Sequence, residues 1–80
     1  MKLASAVRTK GPGLRPMLRT TEEAIGLIDQ DIPQEVRARS RWTFARALLV
    51  EAERTKKKRD LKVAERQLKQ ALATETWLDD

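Results

Sequence analysis

The segment Arg54-Thr55-Lys56-Lys57-Lys58-Arg59-Asp60 lies between two stretches of helical hydrophobic spacing, where one predicted helix ends and the next begins. Its first six residues include five cations. Charge this dense is not buried in a small core, so the segment predicts an exposed helix-helix junction. Lysine and arginine also form helices well, and no glycine or proline intervenes, so one unbroken helix is the alternative. We predict a break.

The residues before this junction predict a long second helix, from Gln34 to about Arg54. One helical face carries Ala38, Trp42, Ala45, Leu48, Leu49 and Ala52, and Phe44, Ala47 and Val50 widen the apolar arc beyond it. A helix that is apolar over so much of its girth is expected to be central and to touch both neighbours. Trp42 is therefore predicted to be a core residue.

The residues after the junction predict a third helix, from about Leu61 to Thr76, with Asp60 as its N-cap. Its apolar stripe consists of Leu61, Ala64, Leu68, Ala71 and Leu72, and its predicted solvent face of Lys62, Glu65, Arg66 and Lys69. In the tail that follows, from Trp77 to Asp80, Trp77 either packs against the core or frays.

The first predicted helix lies before these two and begins at Thr20. Thr20 and Glu23 have the spacing of a capping box, in which each side chain accepts a hydrogen bond from the other residue's backbone. The helix is predicted to end near Asp31, because Pro33 disfavours helix in the residue before it. Ile32 and Pro33 then predict an extended linker.

Residues 2–19 predict a β-hairpin. Leu3, Ser5 and Val7 alternate with alanines, and Lys10-Gly11-Pro12-Gly13 provides the proline and glycine of a type II turn. Pro16 limits the return segment to an edge strand. The alternative is a loose basic arm. The predicted fold class is α+β, one small domain over residues 1–80, with the hairpin or arm at 1–19 packed on three helices at 20–80.

The residue types that the sequence lacks limit the catalytic and metal sites it can form. The chain has 80 residues, a net charge of +5 and neither cysteine nor histidine, which removes thiol nucleophiles, histidine bases and Cys/His zinc sites. Its carboxylates stand where capping or solvation explains them, so we expect no enzyme, no metal and no cofactor, and no small-molecule substrate is evident. No apolar run is long enough for a membrane span, so a cytoplasmic protein is the default expectation. A thin core with three aromatic residues favours a homodimer.

Charge segregation leads to two functional hypotheses. Residues 20–35 are wholly acidic and are expected to neutralise part of the arginine-rich start of the second helix, whereas the basic junction has no matching acidic segment. The first hypothesis is a non-enzymatic protein that binds another protein or itself. The alternative is a nucleic-acid-associated protein that contacts phosphates. Its expected contact residues are Arg54, Lys56, Lys57, Lys58 and Arg59, supported by Arg37 and Arg41 on one helix edge, by Arg39 and by the basic arm.

The order of these elements resembles a family of short alphaproteobacterial proteins known as domain of unknown function 982. The residues that carry the resemblance are Ala24, Ile28, Pro33, Ala45, Ala52, Ala64, Arg66 and Ala71. The resemblance covers nearly the whole chain. It implies the fold predicted above and no activity.

Overall fold

Two antiparallel strands open the chain and helices follow, which confirms the predicted α+β class. The computed structural model describes residues 1–79; Asp80, the end of the predicted tail, lies outside the described residues. The elements are β1 (Lys2–Arg8), β2 (Met17–Thr20), α1 (Thr21–Gly26) continued by a π-helical turn (Leu27–Asp31), α2 (Gln34–Arg37), α3 (Ser40–Thr55) and α4 (Lys58–Thr74). No helix in this described part is long and apolar enough to cross a membrane.

The hairpin forms as predicted, with an irregular register. Gly13 has a φ of +75° and the Leu14 N–H donates to the Gly11 carbonyl at 3.3 Å, as a turn with Pro12 and Gly13 at its centre requires. Lys2 pairs with Thr20 and Val7 with Leu18, so four residues of β1 face one residue of β2. β1 therefore bulges away from β2 between these pairs.

The C-terminal tail anchors the hairpin. Its backbone runs beside β1, where the Lys10 N–H donates to the Trp77 carbonyl at 2.9 Å and the Asp79 N–H to the Arg8 carbonyl at 3.0 Å. The Trp77 ring packs on Trp42, with 6.2 Å between ring centroids. Of the two predicted alternatives for the tail, packing of Trp77 against the core is the one observed.

The first helical segment begins at its predicted cap. The Thr20 side chain accepts from the Glu23 N–H at 3.1 Å, and the Glu23 carboxylate accepts from the Thr20 N–H at 3.1 Å. The Ile32 N–H donates to the Leu27 carbonyl, five residues back, which makes the last turn π-helical. Helical structure ends at Asp31, as expected from Pro33.

The predicted second helix is interrupted, and this part of the prediction was wrong. α2 ends at Arg37, and Arg39 has a ψ of 146°, which turns the chain before α3 begins. A continuous helix would rotate Val36 and Trp42 about 120° apart around its axis. The turn lets both side chains reach one core, where Trp42 is fully buried and Val36 is packed against the buried cluster. Ala38, predicted to face the core, is exposed at this turn.

The basic segment does break the helix, but α4 starts earlier than predicted. Lys56 has a φ of 59° and its N–H donates to the Ala52 carbonyl at 2.8 Å, which ends α3. α4 then begins at Lys58. Asp60 is consequently the third residue of α4 and not its N-cap, and it accepts a hydrogen bond from the Thr55 hydroxyl at 2.6 Å across the junction.

The core lies between the hairpin, α1, α3 and α4. It contains the whole predicted stripe of α4, from Leu61 to Leu72, together with Trp42 and Leu49 of α3. α3 touches both α1 and α4 as predicted, but its outer side is open, so Phe44 and Val50 are exposed. Glu65 is buried, which contradicts its predicted place on the solvent face of α4.

Candidate anion-binding surface

The junction predicted to be the main contact surface is partly neutralised. Arg54 forms an ion pair with Glu51, and Lys56 forms one with Glu53, each within the last turns of α3. The hydrogen bond from Lys56 is the main cause that lowers the pKa of Glu53 to about 2. The prediction that no acidic segment matches this cluster did not anticipate these two local pairs, which engage two of its five cations.

Arg37 and Arg41, predicted to share one helix edge, lie on different helices because the chain turns between them. Arg37 donates to the Asp29 carbonyl at 2.6 Å, at the end of the π-helical turn. Arg41 forms an ion pair with Glu75 at 3.0 Å. Both guanidinium groups therefore hold the fold together at this end of the molecule.

Glu75 collects three donors from the start of α3. Its carboxylate accepts from Arg39 and Arg41 and, at 3.1 Å, from the indole N–H of the buried Trp42. Burial raises the pKa of Glu75, but the Trp42 hydrogen bond and the two arginine charges outweigh it, and the pKa is lowered. Arg39, another predicted supporting contact, is thus engaged within the chain.

The expected pairing between the acidic first helical segment and the second helix is observed. Arg46 of α3 donates to both carboxylate oxygens of Asp29, at 2.7 and 2.9 Å. On the hairpin side, Arg15 forms an ion pair with Asp31 at 2.7 Å. Arg46 and Arg15 are therefore paired within the chain and do not add to the charge available for a ligand.

The solvent face of α4 is basic along its length. Its exposed charged residues are Lys58, Arg59, Lys62, Arg66 and Lys69, and none of these side chains forms an ion pair within residues 1–79. Both acids of α4 are engaged: Asp60 with Thr55, and Glu65 with the Ala4 N–H at 2.7 Å. Glu65 is buried and Asp60 is half-buried, so the fully exposed charged side chains of α4 are all basic.

β1 brings two further cations to this face. Lys2 lines a cleft of about 340 Å³ with Lys58 and Lys62, and Arg8 lines a second cleft of about 490 Å³ with Lys69. Helical geometry aligns Lys58, Lys62 and Lys69 within about 40° around α4, over about 16 Å. We call the set Lys2, Arg8, Lys58, Lys62 and Lys69 the basic seam. The smaller of its two clefts, lined by Met1, Lys2, Ala4, Lys58, Leu61 and Lys62, we call the lysine cleft.

Sequence reasoning found the basic seam only in part, and Lys2 and Arg8 entered it only as members of the supporting basic arm. It named Lys58, which belongs to the seam, but it treated Lys62 and Lys69 as ordinary solvated residues of a helix surface. The recurrence of lysine at 58, 62 and 69, on one side of a single helix, was the available signal. That Lys2 and Arg8 join this row follows only from the packing of β1 on α4.

No protein-family model, curated protein or solved structure matches the chain. The resemblance to domain of unknown function 982 therefore stays a prediction. Within residues 1–79, no group of three or more acidic side chains is arranged to hold a metal ion.

Proposed function

We propose that the protein works by binding and that its ligand is the phosphate backbone of a nucleic acid duplex, contacted through the basic seam. The observation that carries the proposal is the row of exposed lysines on α4, extended by Lys2 and Arg8 from β1, beside which Glu65 is buried and Asp60 is half-buried. Polyphosphate backbones attract such rows because binding releases condensed counterions.

Duplex is favoured over unstacked single strands because the seam offers no stacking surface. Trp42 is fully buried, and Trp77 packs on Trp42 and over Gly11. Phe44 is exposed but belongs to α3 and lines neither cleft. Binding that depends on phosphates alone is expected to be weakly selective for base sequence.

The salt dependence of binding to a short duplex tests the proposal. With about five phosphate contacts the slope of log K against log salt is about −4.5, so affinity should fall about 500-fold from 50 to 200 mM salt. Fluorescence anisotropy with a labelled 20-base-pair DNA measures it. No binding at 50 mM salt would refute the proposal.

A matched pair of double variants locates the surface. Lys62→Gln with Lys69→Gln removes two seam charges and should reduce the salt slope by about 1.8. Lys10→Gln with Arg19→Gln removes two exposed cations from the hairpin turn and β2, and should leave the slope within about 0.5 of its original value. Equal losses in both variants would mean that net charge, and not the seam, attracts the DNA.

Self-association is a second candidate function, favoured by a separate observation. The exposed apolar side chains are Phe44, Val50 and Val63, with Phe44 54% exposed. Burial of Phe44 and Val63 in a second copy would remove apolar surface from water. Sedimentation velocity tests this, because a concentration-independent monomer mass would exclude a dimer, and Phe44→Lys should abolish any dimer that forms.

A further inference from the structure

The lysine cleft combines an apolar floor with a cationic rim. Met1, Ala4 and Leu61 form its floor, and Lys2, Lys58 and Lys62 surround it, with a volume of about 340 Å³. That volume is at the small end of the range of ligand pockets. A simple basic surface patch has no such floor, so the cleft has features that phosphate contact does not use.

The floor exists because of the irregular register of the hairpin. β1 leaves its pairing with β2 between Lys2 and Val7, and the bulged backbone swings towards α4. Glu65 fixes it there by accepting from the Ala4 N–H at 2.7 Å. Ala4 consequently lines the lysine cleft together with Leu61 from the start of α4.

The lysines of the cleft have no ion-pair partner in the described part of the chain, although the buried Glu65 carboxylate lies beside Ala4. None of its three lysine side chains forms an ion pair or hydrogen bond within residues 1–79. The carboxylates that touch its lining residues are already engaged: Glu65 with Ala4, and Glu22 and Glu53 with the Met1 ammonium group at 2.7 and 3.2 Å. A ligand anion would therefore meet three free ammonium groups.

We propose that the lysine cleft binds a small amphipathic anion, an unbranched alkyl chain that ends in a carboxylate. The alkyl chain lies on Met1, Ala4 and Leu61, and the aliphatic stems of the lysines extend this contact. The carboxylate is held by the ammonium groups of Lys58 and Lys62, with Lys2 closing the other side. A purely inorganic anion would leave the floor exposed to water, and a neutral alkane would leave the lysines without a partner.

A chain-length series of alkyl carboxylates tests the role of the floor. Titration calorimetry at low salt with butyrate, hexanoate and octanoate, each below its micelle concentration, gives the dissociation constants. Each methylene that lies on the floor should tighten binding about threefold to fourfold. Dissociation constants that do not change with chain length, or no detectable octanoate binding at millimolar concentration, would overturn the proposal.

Two charge-reversal variants on the same side of α4 distinguish binding in the lysine cleft from nonspecific electrostatic attraction to the basic surface. Lys62→Glu should weaken octanoate binding about tenfold or more, because it replaces a charge-assisted contact by repulsion. Lys69→Glu makes the same charge change on the same side of α4, outside the cleft, and should alter the constant less than about threefold. Equal effects of the two variants would overturn the proposal.

A variant that fills the lysine cleft distinguishes octanoate binding from duplex binding. Ala4→Phe places a ring over the floor without changing charge, and it retains the backbone N–H that donates to Glu65. It should abolish octanoate binding and leave the salt slope for DNA unchanged, with folding checked by far-ultraviolet circular dichroism. Undiminished octanoate binding by a folded Ala4→Phe variant would show that the ligand lies elsewhere.

Discussion

Replacement of Glu75 by alanine should be among the most destabilising single changes at the surface of this protein. The carboxylate is the partner of the Trp42 indole N–H, and Trp42 is 0% exposed. A buried donor left without a partner costs about 1–3 kcal/mol. The ion pairs with Arg39 and Arg41 are partly exposed and add only about 0.2–1 kcal/mol each.

The expected loss for Glu75→Ala is therefore about 2–4 kcal/mol. For a chain of this size the melting temperature should fall by about 10–25 °C. Urea unfolding followed by tryptophan fluorescence measures the free energy directly. Because the stability of small domains is about 5–15 kcal/mol, the variant should still fold.

Two further variants identify the cause of this loss. Glu75→Gln keeps an acceptor for the indole N–H and removes the charge, so it should cost about 1 kcal/mol. Glu51→Ala removes only an exposed ion pair with Arg54 within α3 and should cost less than about 0.5 kcal/mol. The reasoning is refuted if Glu75→Ala is no more destabilising than Glu51→Ala.

Three more outcomes are expected. Thr76→Gly should raise the free energy of unfolding by about 0.5–1 kcal/mol, and with it the urea midpoint, because the β-branched Thr76 holds a φ of 64° just after α4; a lower midpoint would contradict this. Gly11→Ala should cost about 1–3 kcal/mol, because a methyl group there would lie 2.7 Å from the Trp77 ring; unchanged stability would show that the tail is not packed on the turn. The pKa of Glu22 and that of Glu53 are both lowered to about 2, so their contribution is complete above about pH 4.5 and is lost as the pH falls towards 2. Urea midpoints that stay constant from pH 6 to pH 2 would contradict that assignment.

Features set by neighbouring residues could be predicted from the sequence. The Thr20 cap with Glu23, the turn with Gly13 at positive φ and the stripe from Leu61 to Leu72 each depend on contacts within a few positions. Local hydrogen bonds and helical spacing act the same way in any surroundings, so the pattern is sufficient. The helix break within the basic segment was also predicted, although α4 starts three residues earlier than expected.

Other features depended on residues far away in the chain. The turn at Ala38 and Arg39 contains no glycine or proline from which it could be predicted. It allows Val36 and Trp42 to pack in the same core. Glu65 was predicted to face solvent because it is charged, yet it follows Leu61 by four positions, which is the spacing of the buried stripe. It is buried there, and its carboxylate accepts a hydrogen bond from the Ala4 N–H of β1, a partner that local spacing does not reveal.

Composition and local patterning are enough to predict a small basic α+β protein with an exposed, cation-rich junction between its last two helices. Folding decides whether the arginines at the start of α3 are free, because Arg41 and Arg46 pair with acids that are distant in sequence and close in space. The pairs formed by Arg54 and Lys56 are local, each with a glutamate three positions earlier. Glu75 takes Arg41 out of the candidate surface, and the packing of β1 on α4 adds Lys2 to it. Charge density is a property of composition, whereas a binding surface is a property of how that charge is arranged after folding.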